Sequence, residues 1–62
     1  MKTREEIKAI AETMKAAETW NDADCRGLCE AAGMLEAYEA ADGETFEAIV
    51  MAAADALNVE II

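Results

Sequence analysis

The sequence predicts an all-α fold, a small three-helix bundle with a short extended C-terminal tail, and three observations carry that prediction. Apolar residues recur at three- and four-residue spacing in three segments, short polar breaks with helix-capping residue types separate the segments, and the 62 residues contain no proline. At this length the chain reads as a single helical domain, 1–62.

The first helix is expected over residues 3–20. "TREE", Thr3 to Glu6, is a capping box in which the Thr3 hydroxyl accepts from the Glu6 amide and Glu6 reaches back to the Thr3 amide. At about 100° per residue, Ile7, Ile10, Met14 and Ala17 gather on one face. Glu5, Lys8, Glu12 and Lys15 form a mixed-charge ladder on the other, most simply a solvated face. "NDAD" follows, so Asn21 or Asp22 caps a second helix over 22–41 with Asp24 near its positive end. The short connection sets these helices antiparallel. The apolar side of the second helix is Leu28, Ala31, Ala32, Leu35 and Tyr38, and Asp42-Gly43 is read as its stop, with glycine accepting left-handed geometry. Gly27 and Gly33 each weaken a helix by about 1 kcal/mol relative to Ala, so both are expected where another backbone comes close.

The third helix, over 44–57, presents Phe46, Ile49, Val50, Ala53, Ala56 and Leu57 on one face. Asn58 is expected as its left-handed cap residue, with Val59 folding back over it. The tail, 58–62, ends in the alternating, β-branched "VEII" and is expected to be extended, covering the open end of the bundle or adding to a partner's sheet edge. The expected core is Ile7, Ile10, Met14, Leu28, Leu35, Phe46, Ile49, Val50 and Leu57.

A chain this short buries only about 60% of its unfolded surface, and 15 of its apolar residues are alanine. Stability is therefore expected to be marginal or supplemented by self-association, most simply as a homodimer. No run approaches the roughly 20 apolar residues of a membrane span, and "MKTREEIKAI" has acids where a signal peptide needs its apolar segment. Two cysteines fall short of a disulfide scaffold, which agrees with a reducing, cytoplasmic setting.

Charge is the most informative property. Residues 1–20 balance Lys2, Arg4, Lys8 and Lys15 against Glu5, Glu6, Glu12 and Glu18. Residues 21–62 set Arg26 alone against Asp22, Asp24, Glu30, Glu36, Glu39, Asp42, Glu44, Glu47, Asp55 and Glu60, so the whole net charge of −9 lies there. A field of that sign repels nucleic acid and anionic membrane and attracts basic surfaces. A DNA-reading helix-turn-helix is excluded because helices two and three carry only Arg26.

Cys25 and Cys29 lie on one helical ridge, where parallel side chains suit an internal disulfide poorly, and no strand precedes them as in C-x-x-C redox motifs. The chain has no histidine to complete a zinc site. Four thiolates meeting across a dimer are the remote metal reading, and small residues at the core edge are the simpler one. No glycine-rich phosphate loop, calcium loop or serine elbow is present, so neither a cofactor nor an enzyme activity is expected.

The reading that remains is an acidic protein-binding module. Asp22, Asp24, Glu30, Glu36, Glu39, Asp42, Glu44, Glu47 and Asp55, with Met51 among them, are its candidate partner-binding residues. Such a surface suits an inhibitor of a nucleic-acid-handling protein, an analogy of size and charge with small acidic phage proteins that block host defence enzymes. The competing class is a structural homodimer or assembly subunit that uses a hydrophobic interface of Trp20, Met34, Tyr38, Met51 and the tail.

Overall fold

Thr3 opens the first helix as its residue type dictates: its backbone is extended and its Oγ1 accepts from the Glu6 amide at 3.2 Å. The computed structural model describes residues 2–62, and from this start it builds four helices: α1 (Arg4–Ala16), α2 (Asp22–Ala31), α3 (Leu35–Ala40) and α4 (Phe46–Ala56). No strand occurs among the described residues, and the tail beyond α4 turns at Leu57–Asn58 and then has no regular secondary structure.

Three expectations of the sequence are corrected at the helix ends. First, α1 stops at Ala16 rather than Trp20, because Ala17 turns extended. Leaving the helical path lets Trp20 pack, half-buried, against the core. Second, the expected helix over 22–41 is two helices. Gly33 takes φ +74°, its amide bonds to the Glu30 carbonyl at 3.1 Å, and the Met34 amide bonds to the Cys29 carbonyl at 2.8 Å. This pairing is a Schellman stop. A Cβ at Gly33 would meet nothing within 4 Å, so no backbone approaches it. At Gly27 the close neighbours are side chains, Lys2 Cε at 3.1 Å and Ile10 Cδ1 at 3.4 Å. Third, "DG" starts an element instead of ending one. Gly33 is the glycine with positive φ, and Gly43 is not left-handed. Asp42 Oδ1 accepts from the Glu44 and Thr45 amides at 2.9 and 3.0 Å, while Thr45 Oγ1 accepts from the Asp42 amide at 3.1 Å. This reciprocal box opens the turn that leads into α4.

The end of α4 follows the sequence closely. Asn58 takes φ 58°, its amide reaches the Asp55 carbonyl, and the Val59 amide reaches the Ala54 carbonyl, both at 3.0 Å.

The hub of the packing is α2, which meets α1, α3 and α4, while α3 also meets α4. Its Cys25, Leu28 and Cys29 are at most 1% exposed and form the centre of the core, with Ile7, Ala11 and Met14 of α1 and Val50, Ala53 and Ala54 of α4 around them. The cysteines are thus central rather than at the edge. Of the expected core, Ile10, Phe46, Ile49 and Leu57 are half-buried at its border. Leu35 is half-buried outside the cluster, because the break at Gly33 redirects α3. Ile61 replaces it as a buried residue at 2% exposure and closes the core from the tail. The tail is held to α1 by the Arg4 guanidinium, which donates to the Leu57 and Asn58 carbonyls, and by Lys15 Nζ on Glu60 Oε2 at 3.1 Å.

Candidate functional site

The start of α2 is fixed by Asn21, whose side-chain oxygen accepts from the Asp24 amide at 2.8 Å and whose amide group donates to the Asp24 carboxylate at 3.0 Å. From that anchor Asp22, Cys25 and Arg26, at helical spacing, line one side of a cleft. Tyr38 and Glu39 of α3 line another, and the Asp42 turn leading into α4 brings Phe46. Trp20 completes the wall, so the one Trp, one Tyr and one Phe of the chain share a cleft of about 440 Å³. Trp20 and Phe46 also border a second groove, of about 510 Å³, with Met14, Ile61 and Ile62.

Within the first cleft, Tyr38 Oη donates to Asp22 Oδ1 at 2.7 Å. This bond holds the Asp22 carboxyl below its ordinary value, aided by the charge of Arg26. The same bond, with desolvation and the negative charge of Asp22, pushes the Tyr38 phenol up to about 12. Arg26 bridges the two elements: Nε lies 3.5 Å from Asp22 Oδ2, Nη1 lies 3.8 Å from Glu39 Oε2, and Cζ sits 5.7 Å from the Tyr38 ring centroid. Its side chain remains 45% exposed. The Glu44 and Thr45 amides and the Thr45 hydroxyl hold the Asp42 carboxyl low.

The ten residues expected to meet a partner divide by environment. Asp22 and Glu39 flank Arg26, Asp24 accepts from the side-chain amide of the Asn21 cap, and Asp42 accepts from the amides of the turn into α4. Glu30, Glu36, Glu44, Glu47 and Asp55 are exposed, with no ion pair or side-chain hydrogen bond among the described residues. Met51 is 41% exposed and lies apart from the cleft, beside Asp55, Val59 and Ile62. Sequence reasoning set Trp20 and Tyr38 in a hydrophobic interface, placed Phe46 in the core and gave Arg26 no part in a site. The signal available for Arg26 was its four-residue spacing from Asp22, together with its isolation among acids.

Of the residues of the alternative hydrophobic interface, Trp20, Met34 and Tyr38 pack half-buried against the core, whereas Met51 and the 76% exposed Ile62 stand out from it. Both thiols are free and buried, and burial pushes each of them up, first of all by desolvation. Cys25 and Cys29 are at most 1% exposed. Among the described residues no three Cys, Asp or Glu side chains gather as a metal-ligand set, and no helix is long and apolar enough to cross a membrane. Comparison with protein-family models, curated proteins and solved structures finds no match for this chain.

Proposed function

We propose that the protein is a non-enzymatic binding module that docks its acidic α2–α4 surface onto the basic surface of another protein. The observation that supports this reading is the shortage of cations: Arg26 stands alone in residues 21–62, and Glu30, Glu36, Glu44, Glu47 and Asp55 are exposed with no ion-pair partner among the described residues. Carboxylates held in this way raise the local concentration of a basic partner and speed encounter. The basic groove of a nucleic-acid-handling protein is the class of surface that fits best, with inhibition as the result of occupying it.

The test is affinity capture from the source cell followed by mass spectrometry, then binding of the recovered partner by charge variants. Glu44→Lys with Glu47→Lys is expected to weaken binding far more than Glu5→Lys with Glu12→Lys, and wild-type association should fall steeply as salt rises. A partner that binds through Met51 and Ile62 without salt dependence would replace the acidic reading with a hydrophobic one.

A further inference from the structure

We infer that the cleft between α2 and α3 receives an arginine side chain from the partner's basic surface, and that Arg26 holds that place in the free protein. The inference rests on the acidic-module reading and names the contact at its centre. Three features of the cleft combine to support it.

The first is its walls. Trp20, Tyr38 and Phe46 put the aromatic surface of the chain into one concavity, where a flat cation can lie against a ring face. The second is charge. Asp22, Glu39 and Asp42 line the cleft against Arg26 alone, so it stays net negative even with its own cation in place. The third is the way Arg26 is held. It spans Asp22 and Glu39 at 3.5 and 3.8 Å and lies 5.7 Å from the Tyr38 centroid, distances at the loose end for each contact. With nearly half its side chain exposed, it can swing out to water at little cost.

Arg26 also shows which cation the cleft accepts. A planar guanidinium can reach two carboxylates while lying over a ring, and a compact ammonium cannot match that geometry. The Tyr38–Asp22 hydrogen bond fixes both the ring and one carboxylate before anything arrives, so an incoming guanidinium meets a preorganised face. Exchange of Arg26 for the partner's arginine then leaves the local contacts in kind, and the incoming residue adds burial against Trp20 and Phe46.

The experiment uses capped hexa-arginine and hexa-lysine peptides at low ionic strength, read by Trp20 fluorescence and by amide NMR shifts. Arg26→Gln is the key variant, and Lys8→Gln is its control, since it makes the same charge change at an exposed site on α1. Circular dichroism checks that both variants fold. Hexa-arginine is expected to shift Trp20 and Tyr38, to bind more tightly than hexa-lysine, and to gain about three-fold more affinity from Arg26→Gln than from Lys8→Gln, the scale of an exposed cation–ring contact. Glu39→Gln should weaken it more than Glu36→Gln. Equal gains in the two lysine- and arginine-removing variants, or shifts confined to Glu30, Glu36, Glu44, Glu47 and Asp55, would overturn the cleft while leaving acidic docking intact. Equal binding of the two peptides would overturn the preference for arginine. Absence of salt-sensitive binding to either peptide would overturn the acidic reading itself.

Discussion

Asp22 and Tyr38 are two ends of one hydrogen bond, and each protonation state depends on the other. Asp22 titrates below an unfolded aspartate, so its stabilisation is fully present above about pH 3.9 and is lost as the pH falls through the lower folded value. Tyr38 is raised to about 12, so its share is present below the unfolded tyrosine value and is lost between about pH 10 and 12. The raised thiols act in the same direction from about pH 8.5 upward, because the unfolded chain sheds their protons first. Tyr38→Phe is therefore expected to raise the Asp22 titration seen by carboxyl NMR. It should also flatten the stability loss above about pH 10 while keeping its onset at the thiols. Gly33 offers a second residue-scale test. At φ +74° an alanine is strained, and Gly33→Ala should cost about 1–2 kcal/mol by urea unfolding.

Each helix end states how far local chemistry reaches. Thr3, Asn21 and Asn58 were legible as caps because each depends on a side chain and amides within a few residues. Gly33 and the Asp42 turn were not, because glycine and aspartate serve both starts and stops and the residue types alone do not say which bonds they will make. The acidic surface was legible from counting charges, whereas the aromatic cleft depends on α3 folding back to set Tyr38 beside Asp22. Two predictions belong to this scale. Ile61→Ala should cost on the order of 2–5 kcal/mol, enough to unfold a marginal domain, and more than Leu35→Ala, which lies outside the cluster. Cys25→Ala with Cys29→Ala should cost about 1 kcal/mol per site as small cavities. The corresponding serines should cost more, because each puts a hydroxyl into the apolar core. Thermal and urea denaturation rank all four.

Across the whole molecule, −9 on 62 residues makes the folded state repel itself. The ion pairs that oppose this, Lys15–Glu60 and those of Arg26, are exposed and contribute little. Adding salt up to physiological strength, where screening sets in at about 8 Å, should raise the melting temperature. The same addition should weaken docking to a basic partner, so stability and affinity are expected to move in opposite directions along one titration. Calorimetry and binding measured on the same salt series check this directly.

The position of the two thiols gives the molecule a clock. They sit buried on the hub helix, Cys25 against the cleft beside Tyr38, while the tail that closes the core is held by Arg4 and Lys15 of α1. A local opening that uncovers either sulfur needs only part of these contacts to break. Alkylation would then report an opening free energy smaller than that of global unfolding. Glu60→Gln, which loosens the tail alone, should speed labelling before it lowers the urea midpoint.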